Sequence, residues 1–244
     1  MKVIQANWEK VNLGKETFEI EFFPDDNPDD ISPLNLPGEL NYIKLKSYDH
    51  SVMKLISSFG YTFCESQLSF TKSLRRFDTN SHEFPMVDLF EIEKVRSEDE
   101  LNLLISEVNL GIFSTDRIAL DPEFGQAIAN SRYSNWIRSM FADESAEISF
   151  IKTKKENKKV GFFINVRHGT LCNIVLGGIF KDFLDRGIGH VFVYHSLVHA
   201  KLTGSKTVKV KVSSNNPAMV NIYTGVFGFQ LVSSEIVVKA VLNK

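Results

Sequence analysis

The sequence predicts an α/β protein in two parts, a small α/β domain over residues 1–84 and a larger one over residues 85–244. Three observations carry this. Segments with apolar residues at every second position recur, as in Thr17-Phe18-Glu19-Ile20-Glu21-Phe22-Phe23 and Thr207-Val208-Lys209-Val210-Lys211-Val212, and that period belongs to half-buried strands. Between such segments lie others with helical spacing, as in Val191, Val193, Tyr194, Leu197, Val198 and Leu202. Three apolar segments, 147–152, 160–166 and 171–180, follow one another at hairpin spacing. The polar stretch 75–85 is the expected linker between the parts.

In chain order, residues 17–23 form the first expected strand. The acidic turn Pro24-Asp25-Asp26-Asn27-Pro28-Asp29-Asp30 follows; it lacks the glycine and closing glutamate of a calcium-binding EF-hand loop and reads as a solvated loop. Residues 39–45 read as a strand. Tyr48-Asp49-His50-Ser51 opens a short helix with Val52, Met53, Leu55 and Ile56 on its apolar face and Gly60 as its stop. Residues 61–70 alternate again. In the larger part, residues 89–95 are a strand and Ser97 opens a helix, with Glu100 completing a capping box. Residues 113–117 read as a loop, and 121–141 as an aromatic-rich helix. After the three hairpin segments come a glycine loop, a helix, a strand, a second helix and two strands, 229–233 and 236–242.

Composition bounds the function. Apolar residues make up 43% and charged residues 24%, as in an ordinary globular protein, and 244 residues suffice for two cores. A net charge of −2 argues against a general nucleic-acid binder, so Lys152-Thr153-Lys154-Lys155-Glu156-Asn157-Lys158-Lys159 reads most simply as a solvated turn, with phosphate binding the poorer alternative. Cys64 and Cys172 lie in apolar strands and read as buried free thiols; no Cys/His spacing suggests a metal. No apolar run is long enough for a membrane span and no signal peptide is evident, so a cytoplasmic location is expected.

The motif around which the chain is organised is Phe180-Lys181-Asp182-Phe183-Leu184-Asp185-Arg186-Gly187-Ile188-Gly189-His190, between an apolar strand and a helix. Glycines let the backbone approach a ligand, and a helix start attracts phosphate. By itself a Gly-x-Gly is a weak signal. It is followed by a strand, then Asn215-Asn216-Pro217-Ala218, Tyr223 and Gly228-Phe229. This order resembles the second half of the GCN5-related N-acetyltransferases, the GNAT superfamily. The resemblance implies a GNAT acyltransferase fold with a mixed, largely antiparallel sheet and acetyl-CoA as co-substrate. Two departures stand out. The superfamily's Arg or Gln, three residues before the first glycine, falls on Leu184, and the spacing from Tyr223 to Gly228-Phe229 is one residue longer than usual.

The resemblance implies roles residue by residue. The backbone of Arg186, Gly187, Ile188, Gly189 and His190 would hold the CoA pyrophosphate. Gly178, Ile179 and Phe180 would take the pantetheine arm, and an N–H among 177–179 would polarise the thioester carbonyl. Asn216 is expected to contact the cofactor arm, although a helix N-cap before Pro217 explains it equally well. Tyr223 would protonate the leaving thiolate; its alternative is a core tyrosine. His168, Glu147 and Asp116 are weak candidates for a base.

Trp8-Glu9, Phe59-Gly60-Tyr61, residues 65–70 and Ser131-Arg132-Tyr133-Ser134-Asn135-Trp136-Ile137 more loosely resemble the bacterial TDP-fucosamine acetyltransferases. That implies a nucleotide-linked 4-amino-4,6-dideoxyhexose as acceptor, in O-antigen or other lipopolysaccharide synthesis, with Tyr133 and Trp136 stacking on it or buried against the sheet. Another small amine, a peptide N-terminus or a non-catalytic acyl-CoA-binding role are the alternatives. The last strands are candidates for pairing across a homodimer.

Overall fold

A computed structural model describes residues 1–46, 50–79, 84 and 86–242. The expected helix-opening residues Tyr48 and Asp49, and residues 80–83 and 85 of the expected linker, lie outside this set. The elements are β1 (Lys2–Gln5), α1 (Asn7–Leu13), β2 (Thr17–Phe22), β3 (Leu40–Leu45), α2 (His50–Ser58), β4 (Thr62–Ser73), β5 (Phe90–Lys94), α3 (Glu98–Val108), α4 (Gly125–Phe141), β6 (Ala146–Thr153), β7 (Lys159–His168), β8 (Leu171–Ile179), α5 (Gly189–Leu202), β9 (Thr207–Ser213), α6 (Pro217–Asn221) and β10 (Gln230–Val241).

The ten strands of the described residues form one sheet in the order β1-β2-β3-β10-β4-β9-β8-β7-β6-β5. Among the described residues only the β2–β3 and β8–β9 pairs are parallel, so the expected mixed, largely antiparallel α/β architecture is present. Strands of the two expected parts interleave: β10 lies between β3 and β4, and β4 lies between β10 and β9. The described strands of both expected parts thus belong to one hydrogen-bonded sheet.

β7 sits deep in this sheet and reads as a nearly unbroken apolar run because both of its faces are covered. Val160 and Phe163 pack with α5, while Phe162 and Ile164 pack with α3 and α4. Phe150, Phe162 and Phe163 have no solvent exposure; each contributes on the order of 1.5–3 kcal/mol of burial. The Ser97 capping box is formed as expected, with Ser97 Oγ accepting from Glu100 N and Glu100 Oε2 accepting from Ser97 N.

Several expectations are corrected. The strands expected at 229–233 and 236–242 are one strand, β10, bent where Val232 is left out of register with β4. β4 pairs along its length, so no turn is needed there. The aromatic helix starts at Gly125 rather than at 121, because Asp121 Oδ1 accepts from Glu123 N and holds a turn before it. Leu202, expected on the buried stripe of α5, is 77% exposed at the helix end. β1 and α1 were not expected; neither carries a clear apolar period. The acidic turn contains a single 3₁₀ turn, Pro28–Ile31, with Asn27 Oδ1 accepting from Asp29 N. The described residues of the expected linker pack on α5: Phe77 and Phe84 touch the Tyr194 ring, and Tyr194 donates to Thr79 O at 2.7 Å.

A buried ion network joins the N-terminal strands to the 113–121 loop and α4. Arg117 lies 3.3 Å from Glu19 and from Glu65, and 3.6 Å from Glu9. Glu9 also receives Arg132 at 2.7 Å. The Arg117 guanidinium stacks over Tyr42, and its Nε has no partner among the described residues. Burial would raise the Glu19 carboxyl, but Lys44 and Arg117 outweigh it and hold the group below the ordinary carboxylate range. Removing the cation alone strands buried carboxylates. Arg117→Leu is therefore expected to destabilise the fold by about 3–5 kcal/mol, read as a lower urea midpoint at neutral pH. The Glu19 contribution is present above the ordinary carboxylate range and is lost as pH falls through its depressed pKa, so the penalty of Arg117→Leu should shrink in acid.

Candidate active site

The site begins where two strands separate. β8 and β9 pair in parallel from Leu171/Thr207 to Ile174/Val210 and then stop. Beyond that point Lys211, Val212 and Ser213 pair with β4 on their other side, while β8 continues along β7 to Ile179. At the same place β8 has a bulge: Ile164 opposes Leu176 and Asn165 opposes Ile174, leaving Val175 unpaired. Phe180 N donates to Val160 O at 2.9 Å. Antiparallel alternation then turns the backbone groups of Ile179 and Gly177 toward the gap vacated by β9, and those of Gly178 toward β7. Gly177 has a packing reason as well, because a Cβ there would sit 3.0 Å from the Phe192 ring and 3.2 Å from Phe162 O.

The glycine loop follows. Asp185 and Gly187 both take left-handed φ values, +61° and +69°, which bring the chain into α5. No side chain caps α5, and first-turn N–H groups point along its axis toward the loop. His190 Nδ1 lies 3.0 Å from Gly187 O. A Cβ at Gly189 would meet Ile222 Cδ1 at 3.0 Å, so glycine lets the helix start approach the segment carrying Tyr223. Arg186 stacks on Phe183 at 4.9 Å, and Lys158 from the β6–β7 turn lies over the same ring at 4.8 Å. The lysine-rich turn therefore reaches the glycine loop. Leu184 is 44% exposed beside it.

Asn216 caps α6, its Oδ1 accepting from Met219 N at 3.1 Å. Tyr223 follows in a π turn, Ile222–Val226, closed by Phe227 N donating to Ile222 O at 3.1 Å. A π turn holds one more residue than an α turn. It accommodates the extra residue between Tyr223 and Gly228 while Tyr223 still faces inward. Tyr223 is 3% exposed and packs edge-on against Phe229; burial pushes its phenol well above the ordinary range.

The parting strands, α5 and the Asn216–Tyr223 segment line a cleft of about 140 Å³; the glycine-loop residues 186–190, Gly178 and Ile179 are not among its lining residues. Gly177, Phe192, Asn216 and Tyr223 line it from the α5 and α6 side, and Phe113, Thr115, Asp116 and Tyr133 from the α4 side. Of the residues singled out in the sequence, Tyr133, Asn216 and Tyr223 are thus brought together. Trp136 lines an adjoining groove, 6.2 Å from the Tyr133 ring. The Phe180 ring belongs to the core, stacked 6.3 Å from Phe162, and its N–H is used by β7.

Asp116 lines the cleft with Oδ1 accepting from Ile118 N and Ala119 N, and Oδ2 lies 3.7 Å from Arg132. Burial raises the Tyr133 phenol, and Asp116 raises it further. The other two base candidates lie elsewhere. Glu147 pairs with His199 at 2.7 Å near the C-terminal end of α5, and exposed His168 ends β7 beside the β7–β8 turn. Phe113 and Thr115 came from a stretch read only as a loop. Loop residues carry no period, so only their proximity to Tyr133 reveals them.

No family model matches the chain, and no curated protein matches it in sequence. Solved structures do match in shape. A GCN5-related N-acetyltransferase from Sphaerobacter thermophilus superposes with a TM-score of 0.60 at 12% identity, over 82% of this chain and 59% of that one. The fold is that of the GCN5-related N-acetyltransferases. A second GCN5-related N-acetyltransferase, from Kribbella flavida, gives a TM-score of 0.56 at 11% identity, over 91% and 80% of the two chains. The GCN5-related glucosamine N-acetyltransferase region of a fungal multi-domain beta-N-acetylglucosaminidase gives 0.57 at 15%, over 82% of this chain and 25% of that one. The chain therefore spans less than two thirds of the first and third of these structures.

Gly187 has nothing within 4 Å of an added Cβ, so a side chain there strains only the backbone. Gly187→Ala is expected to cost about 1–2 kcal/mol in local loop stability. Hydrogen exchange at the α5 N-terminus should accelerate, with protection in β7 unchanged.

Proposed function

We propose that this protein transfers an acetyl group from acetyl-CoA to an amine. One observation carries the reading: the gap between β8 and β9, with outward-turned backbone groups on one wall, opens onto a buried tyrosine and lies next to a glycine loop that starts a helix. Gly177 and Ile179 are spaced to hydrogen-bond an extended amide arm and to donate to the oxygen on which charge develops in acyl transfer. The loop at 186–190 suits a pyrophosphate without a side-chain cation, which fits the presence of Leu184.

The acceptor nitrogen attacks the thioester carbon directly, and the carbon–sulfur bond breaks. Tyr223 donates its phenolic proton to the departing sulfur. Its raised pKa keeps it protonated near neutrality, the form a general acid needs. Asp116, the carboxylate on the opposite wall, is the candidate to take the proton that the new amide nitrogen loses. The phenol is restored from solvent.

For the acceptor we propose a nucleotide-linked 4-amino-4,6-dideoxy sugar. The resemblance of Trp8-Glu9, Phe59-Gly60-Tyr61 and the Tyr133/Trp136 helix to TDP-fucosamine acetyltransferases supports it. Tyr133 in the cleft and Trp136 in the adjoining groove offer aromatic rings beside the proposed acyl-transfer centre, which supports the same reading. The Leu184 departure from Arg or Gln is also compatible with a second reading, a module that binds acyl-CoA without turnover.

Acetyl-CoA at a hundredfold excess over its dissociation constant should stabilise the folded chain by roughly 2.7 kcal/mol, seen as an upward thermal shift; no shift at millimolar acetyl-CoA overturns both readings. With dTDP- and UDP-4-amino sugars as acceptors, Tyr223→Phe is expected to lower kcat by about 10²-fold while the acetyl-CoA shift persists. Unchanged turnover would remove Tyr223 from the mechanism. Acetyl-CoA binding without turnover on any amine would leave the module.

A further inference from the structure

Beside the cleft, on the sheet face opposite α5, a groove of about 420 Å³ runs over β8, β9, β4 and β10. Strand alternation explains its chemistry. Val208 and Val210 point under α5 into the core, so Lys209 and Lys211 stand on the other face, about 7 Å apart along β9. Lys209 is exposed and has no ion-pair partner among the described residues, whereas Lys211 is held by Glu235 at 2.9 Å. Asn173 and Ser69 add polar groups to the floor, and half-buried Trp136 closes one side. The groove shares Ile174, Val175, Val210 and Lys211 with the cleft, so one ligand can occupy both.

The pattern is specific in chemical terms. An indole beside the Lys209 ammonium offers a flat ring to stack on and positive charge for an adjacent phosphate, while the Lys211 charge is shared with Glu235. A neutral amine acceptor would have no use for Lys209, and a cationic peptide would be repelled by it.

We propose that this groove holds the nucleoside diphosphate of the acceptor, with Trp136 stacking on the base and Lys209, assisted by Lys211, pairing with the phosphates. Lys211, which lines both spaces, then marks the point where the phosphates end and the amine-bearing end enters the cleft. The acceptor role rests on the acyl-transfer reading above; the binding does not, and is tested without acetyl-CoA.

Trp8 and Trp136 are the only tryptophans, so Trp8→Phe leaves Trp136 as the sole indole reporter. Titration of the full-length Trp8→Phe chain with dTDP is expected to quench Trp136 emission saturably. Lys209→Glu in that background should weaken dTDP binding at least tenfold, with an unchanged melting temperature. Thymidine without phosphates should bind at least tenfold more weakly than dTDP, and rising KCl should weaken dTDP but not thymidine. Three results would overturn the assignment: no saturable quench by dTDP, equal dTDP affinity in Lys209→Glu, or displacement of dTDP by CoA, which would put the nucleotide at the glycine loop. If acetyl-CoA fails to bind while dTDP does, the acyl-transfer reading falls and the groove stands.

Discussion

The site depends on one interruption in hydrogen bonding, the parting of β8 and β9 beyond Ile174 and Val210. A continuous sheet would use the edge of β8 entirely for β9, leaving no backbone group for a ligand and no passage between the two faces. The parting has local causes on both strands. On β8, the bulge at Val175 breaks register, and Gly177 brings the backbone against Phe192 and Phe162. On β9, residues 211–213 are drawn toward β4. Backbone polar groups that lose one partner need another, and at Gly177 and Ile179 that need is what the proposed arm-binding role draws on.

The N-terminal segment supplies the strand that pulls β9 away. β4 runs antiparallel to β9 on one side and to β10 on the other, so residues 62–73 are structural members of the sheet that carries the site. The same segment reaches the opposite wall through charge. Glu9, Glu19 and Glu65 surround Arg117, next to Asp116 in the cleft, and Glu9 also holds Arg132, one residue before Tyr133. Buried ion pairs are poor sources of net stability but strongly penalise any arrangement that separates them. Here that penalty ties the 113–117 loop and α4 to the N-terminal strands.

Much of this was legible in the residues. The strict alternation at 207–212, the capping box at Ser97 and the glycine loop before α5 are local devices, set by neighbours within four residues, and each appears where expected. What failed was non-local or weakly patterned. β10 reads as two strands because a bulge and three polar residues, Ser233, Ser234 and Glu235, interrupt its apolar pattern; β4 holds the interruption in line. The extra residue after Tyr223 looked like a departure from the superfamily pattern, and a π turn contains it without moving the phenol outward.

The sequence alone determined the type of the strongly patterned elements, the helix start at the glycine loop, and the candidacy of Asn216 and Tyr223, because period, capping and turn chemistry act over a few residues. Only the tertiary structure decided that β4 lies between β9 and β10, that Asp116 rather than Glu147 or His168 shares the cleft with Tyr223, and that Lys209, Lys211 and Trp136 face one groove. Strand order and side-chain convergence arise from pairings between residues more than a hundred positions apart, such as Phe70 with Val210 and Glu9 with Arg132. No local pattern encodes such a meeting; it is selected by which arrangement buries the apolar faces and pairs the buried charges at once.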